Sequence, residues 1–117
     1  MKRRSPVSCS LGKLAEEQAA NFVRGLGMRV LARNVRGAGG EVDIVAAEGE
    51  TIAFIEVKAR SSSAFGSALA AVDARKRRRL RAFAQDYLQI VAPQARARFD
   101  VVTIERGGMT LHRNAFS

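Results

Sequence analysis

An α/β fold, a mixed central sheet flanked by helices, is predicted by three features of this chain. Two segments of helical apolar spacing bracket a block of alternating strands, and a further strand follows the second helix. The resulting order is helix, three antiparallel strands, helix, strand and short strand. Such an order packs as a mixed sheet with helices on both faces, and its crossover from the third strand to the fourth should be right-handed. With 117 residues there is one domain and one modest core.

The first helix is expected from Ser10 to Leu26, where Leu11, Leu14, Ala15, Ala19, Phe22, Val23 and Leu26 recur at helical spacing. Ser10 reads as its N-cap and Gly27 as its C′ residue. On a helical wheel Glu16 falls about 100° from the apolar centre, beside Val23, and can lean over a sheet edge. Glu17 points away and should be solvated. Met28 to Val35 alternates as a first strand, and Arg36 to Gly40 reads as a flexible bend. Residues 39–46 and 52–59 are the next two strands. After Lys58 come Arg60 and a serine-rich loop, where a substrate-contacting segment is expected. The second helix runs from about Asp73 to Val91 and is stopped by Pro93, with Leu80, Phe83, Ala84, Tyr87, Leu88 and Val91 as its apolar stripe. Arg98 to Glu105 is a strand buried on both faces, in which Asp100 is a partner for Arg98. Met109 to Arg113 forms the last, short strand.

The hairpin at the centre carries the chemistry. Glycine at the first central position of a Gly49-Glu50 loop suits a type II′ turn. That turn puts Val45 opposite Phe54, Asp43 opposite Glu56 and Glu41 opposite Lys58. One face then holds Val42, Ile44 and Ala46 against Val57, Ile55 and Ala53. The other holds Ala47, Val45, Ile52 and Phe54 and ends in Glu41, Asp43, Glu56 and Lys58. Like charges directly opposite destabilise a strand pair, so a cation between Asp43 and Glu56 is the expectation. A hard divalent ion such as Mg²⁺ binds through one or two carboxylates plus phosphate. Lys58, on the same face, would orient an attacking water or meet the scissile phosphate. The competing expectation is a solvated hairpin end closed by a Glu41–Lys58 pair.

Charge names the partner class. Twenty Lys/Arg against eleven Asp/Glu give a net charge of +9, which favours a polyanion, most simply nucleic acid, with acidic membrane surface and ribosomal RNA as alternatives. Arg75, Lys76, Arg78 and Arg79 crowd the start of the second helix, against its macrodipole, and contact with phosphates explains them better than stability does. A solvated cationic turn and a localisation signal are the alternatives there. Residues 1–9 are expected to form a loose basic arm ahead of a domain spanning 10–117. That arm lacks the apolar stretch of a signal peptide, and no run is long enough to span a membrane. A single cysteine, Cys9, excludes an internal disulfide and a thiolate zinc site, so a reducing cytoplasm is the economical location. There is no Walker loop, dinucleotide-binding glycine pattern or histidine cluster, and His112 is given no catalytic role.

Several blocks resemble a known family. Leu-Ala-Glu-Glu-Gln-Ala-Ala (14–20), Arg-Asn-Val-Arg (33–36), Gly-Glu-Val-Asp-Ile-Val (40–45), Phe-Ile-Glu-Val-Lys-Ala-Arg (54–60) and Arg-Phe-Asp-Val-Val (98–102) are similar to the YraN-like family of small bacterial proteins. That family looks like a branch of the restriction-endonuclease-like PD-(D/E)xK superfamily, similar to archaeal Holliday-junction resolvases. The resemblance implies an αβββαβ core, with Asp43 and Glu56 as acidic metal ligands, Lys58 as the motif lysine and Glu16 as the helix-borne glutamate. A family glycine before that glutamate is Ala15 here. The implied function is a Mg²⁺- or Mn²⁺-dependent endonuclease acting on DNA rather than RNA, on a branched or otherwise structured form. The Val57 carbonyl would be a further metal ligand, and Arg60, Arg75, Lys76, Arg78 and Arg79 would hold the backbone. The alternative is a nucleic-acid-binding module that keeps the scaffold without the chemistry. Cutting a junction would be compatible with a homodimer, for which no interface is legible.

Overall fold

A computed structural model describes residues 7–37, 40–59, 74–106 and 108–115. The element order is α1 (Val7–Gly25), β1 (Arg29–Gly37), β2 (Gly40–Glu48), β3 (Thr51–Ala59), α2 (Ala74–Val91), β4 (Arg96–Glu105) and β5 (Gly108–His112); for α2 these bounds replace the expected start at Asp73, which lies outside the described residues. The strands form one five-stranded sheet in chain order. β3 and β4 are parallel and the other neighbours antiparallel, giving the mixed sheet and αβββαβ core that the sequence predicts. No described helix is long and apolar enough to cross a membrane.

Helix α1 starts at Val7, so Ser10 lies inside it rather than at its cap. No proline separates residues 7–9 from the rest of the helix, and nothing else there forces an end. Its C-terminus follows the sequence closely. Gly27, at φ 98°, donates to the Arg24 carbonyl, and Met28 donates to the Val23 carbonyl, the paired bonds of a Schellman motif. Val23 and Met28 are both buried in the same cluster, which supplies the apolar contact of that motif.

Each helix covers one face of the sheet. Ala19, Ala20 and Val23 of α1 pack on Ile44, Ala46, Ala53, Ile55 and Val102. Small residues let α1 lie close to the sheet, while Leu14 and Leu26, read as part of its stripe, are exposed. On the opposite face Leu80, Phe83 and Ala84 of α2 pack on Val45, Phe54, Phe99 and Val101. Phe54 meets both Phe83 and Tyr87 edge-on, at 6.2 and 5.7 Å between centroids.

The β2–β3 register is the one the turn dictates, from Glu48↔Thr51 to Ile44↔Ile55. Gly49 has φ 62° and Glu50 is not among the positive-φ residues, as a type II′ turn requires. The ladder stops at Ile44↔Ile55, so Asp43 and Glu56, and Glu41 and Lys58, are not rungs of it. Meanwhile β2 stays paired to β1 as far as Gly37↔Gly40, and β3 to β4 as far as Ala59↔Ile104. The sheet forks at Asp43.

The fork coincides with a break in side-chain alternation. Val42 packs with Val45 on the α2 face, although strict alternation would send it to the α1 face with Ile44. In β1, Ala32 and Val35 likewise share the α2 face. Arg33 faces Ile44 and Val35 faces Val42, so both strands change face between these two rungs, at Asn34 and Asp43. Asn34 makes this possible with φ 53°, a left-handed conformation that asparagine tolerates and β-branched residues do not.

At the opposite end an ionic network closes the sheet. Arg98 pairs with Glu48 at 2.8 Å and with Asp100, and Arg113 reaches Glu48 at 2.9 Å. Hydrogen bonds from these two arginines hold the Glu48 carboxyl down at about 2, Arg113 contributing most. Asp100 has the structural role expected of it. Asn34→Val should cost about 1–2 kcal/mol in a urea melt, whereas Asn34→Gly should remain within about 0.5 kcal/mol of the parent.

Candidate functional site

A cavity of about 320 Å³ opens between the forked sheet and the start of α2. Asp43 and Glu56 line it from the sheet, and Lys76, Arg79, Leu80 and Phe83 line it from the helix. Their convergence follows from the fork. The Val57 N–H, which a continued ladder would have turned to Val42, donates instead to Asp43 Oδ2 at 2.8 Å. That bond draws the carboxylate into the gap between β2 and β3. Glu56, the preceding residue on β3, is 3% exposed.

Lys76 answers the buried charge. Its Nζ lies 2.8 Å from Glu56 Oε1. Glu56 Oε2 is buried and has no hydrogen-bond partner among the described residues. The sequence had offered Lys76 to nucleic-acid phosphates; in the structure it points inward. Helical spacing carries the signal that reveals this, because Lys76 stands four and seven residues before Leu80 and Phe83 on the buried stripe of α2.

The site is electrostatically crowded. Burial is the main reason the Asp43 carboxyl is raised from 3.8 to about 6; Glu56 and, more weakly, Glu16 push the same way, against the Val57 hydrogen bond and Lys76. Glu16 is half-buried on α1 and is not brought into a three-carboxylate group with Asp43 and Glu56; it acts on Asp43 only as a weak repulsion. Glu17 is exposed and pairs with Arg33 at 3.5 Å. Burial lowers the Lys58 ammonium, and the neighbouring Lys76 lowers it further. Burial also works against charge on Lys76, but its contact with Glu56 outweighs that and raises it. Arg75, Arg78 and Arg79 are exposed along the first turns of α2. Arg60 and the serine-rich loop lie outside the described residues.

Among the described residues no three Asp, Glu, His or Cys side chains converge as a metal cage. The donors present are the carboxylates of Asp43 and Glu56. That set fits a hard ion that keeps several waters, not one that needs four protein ligands. The unpartnered Glu56 oxygen and the mutual repulsion that raises Asp43 are both relieved by positive charge at this point. His112 is engaged elsewhere, its Nε2 3.0 Å from Thr103 Oγ1.

The sequence profile of the uncharacterised protein family UPF0102 matches residues 15–104, which includes every described member of the acidic cluster. The UPF0102 protein of Mycolicibacterium vanbaalenii is 46% identical over 98 residues, covering 83% of this chain and 81% of its own. That of Moorella thermoacetica is 49% identical over 94 residues, covering 80% and 78%. That of Shewanella sediminis is 35% identical over 116 residues, covering 99% of each chain. The chain belongs to the UPF0102, or YraN-like, family.

A pH dependence follows from Asp43. A carboxyl raised in the folded state binds more protons there than in the unfolded chain between about pH 4 and 6, so stability falls as pH rises through that window. Asparagine keeps an acceptor for the Val57 N–H and carries no charge. In EDTA, Asp43→Asn should be more stable than the parent at pH 7.5, by up to about 3 kcal/mol, and the gain should vanish at about pH 4 in urea melts.

Proposed function

We propose that this member of the UPF0102 family is a divalent-metal-dependent endonuclease that hydrolyses phosphodiester bonds in structured DNA. The observation that carries the reading is the pair of carboxylates at the fork, Asp43 half-buried and Glu56 buried with one oxygen unpartnered among the described residues, opening into a cavity lined by Arg79. Asp43 and Glu56, with the Val57 carbonyl, would hold Mg²⁺ or Mn²⁺, and such an ion supplies Lewis acidity toward a phosphoryl oxygen. Lys58, half-buried beside the acids, orients the attacking water or a phosphate oxygen. Glu16 would act on the pair from α1 through the metal or a water. Arg75, Arg78 and Arg79 bind backbone phosphates, a contact that is salt-dependent and indifferent to base sequence.

One observation favours a second reading, a nucleic-acid-binding module without chemistry. The Lys76 ammonium already neutralises Glu56 by itself. A Mn²⁺ titration of the purified protein separates the two, since only the nuclease requires a bound ion.

Cleavage should be assayed on linear, flapped and four-way DNAs with Mn²⁺. Asp43→Asn and Glu56→Gln should each lose at least roughly a hundredfold in rate, beyond what loss of a mere supporting partner costs at a metal site, while retaining DNA binding. Nicking by both variants at the parent rate would refute the assignment. Replacing Arg75, Arg78 or Arg79 by alanine should reduce the slope of log K against log salt by about 1 each, read by fluorescence anisotropy in EDTA.

A further inference from the structure

We infer that Lys76 is the resident cation of the acidic cluster, held on Glu56 until a divalent ion displaces it and frees its ammonium for the DNA backbone. The inference rests on the metal-binding reading above and adds to it a competitor built into the chain.

Three observations carry it. First, Lys76 Nζ is 2.8 Å from Glu56 Oε1, so the ammonium takes up coordination space that an ion bound to Glu56 would need. Second, the two partners differ in access to water. The Lys76 side chain is 34% exposed and that of Glu56 only 4%, so the lysine can leave and the glutamate cannot. Third, Lys58 stands beside Lys76, close enough that the two ammoniums weigh on each other. A divalent charge at Asp43 and Glu56 would face two ammoniums within a few ångströms, and repulsion in a half-buried site is strong. The flexible, solvent-reaching lysine is the one to give way. Its neighbours on α2 are Arg75 and Arg79, the proposed phosphate contacts, so a released Lys76 emerges where the backbone would lie. Metal binding thereby adds a phosphate contact, and by linkage DNA strengthens metal binding.

The test measures Mn²⁺ affinity of the DNA-free protein by isothermal titration calorimetry and by electron paramagnetic resonance of free Mn²⁺. Lys76→Gln and Lys76→Met should bind Mn²⁺ about tenfold more tightly than the parent. Lys76→Arg, which keeps a cation on Glu56, should not gain. Arg79→Gln removes the same charge from the same cavity without touching that ion pair, and should stay within about twofold. Circular-dichroism melts establish that each variant is folded, and either uncharged variant suffices. The second readout is DNA affinity in EDTA, where Lys76→Gln should leave the salt slope unchanged because Lys76 is engaged on Glu56. Unchanged or weaker Mn²⁺ binding in the uncharged variants would overturn the inference while leaving the metal site standing. So would a salt slope in EDTA that falls by about 1, since Lys76 would then already be a phosphate ligand. Absence of Mn²⁺ binding by parent and variants alike would remove the metal-binding reading and this inference together.

Discussion

A single hydrogen bond, from the Val57 N–H to Asp43 Oδ2, holds the functional end of this sheet in its forked form. Where β2 and β3 part, β3 would otherwise expose a backbone donor in the interior, and an unpaired donor there is costly. The aspartate supplies the missing acceptor. In doing so it is pinned beside Glu56, in surroundings that disfavour its charge. A structural need of the backbone and a functional need for clustered acids are met by the same carboxylate.

The two ends of the sheet show what separates a structural acid from a functional one. Asp100 is fully buried, yet it receives two Arg98 nitrogens and the Asn114 N–H, at 2.8–3.1 Å. Nothing about it is left over. Glu56 is almost as buried, and among the described residues it has one ammonium as partner and one oxygen with none. Buried charges are tolerated when paired and hydrogen-bonded. Among the described residues Asp100 satisfies that rule with protein atoms alone, and Glu56 does not.

The basic character of the chain works at two depths. Arg75, Arg78 and Arg79 stand in solvent on α2, while Lys76 turns inward among them. Composition counts all four equally. What distinguishes them is phase on the helix, set by the stripe of Leu80, Phe83 and Ala84 that docks α2 on Phe54 and Val45. Packing of apolar side chains therefore selects which cation becomes part of the acidic site.

Much of this was legible in the sequence because it is local. The type II′ turn at Gly49 fixes the β2–β3 register, the Gly27 cap ends α1, and helical periodicity places the docking face of α2. The same register directs Asp43 toward Glu56. The start of α1 was misplaced because Ser10 caps only if the chain turns there, and nothing forces that turn. Val42 lies on the face opposite to the one alternation predicts, because both strands change face at Asn34 and Asp43. The inward turn of Lys76 was within reach of the helical pattern, but the cationic run around it concealed the signal. Sequence by itself determined the elements, the hairpin register and the identity of the acids, since each depends on neighbours within one turn or one hairpin. Tertiary structure alone decided where the ladder ends and which Glu56 oxygen is left without a partner among the described residues. Those depend on long-range packing that closes a helix over a forked sheet, and no local pattern encodes it.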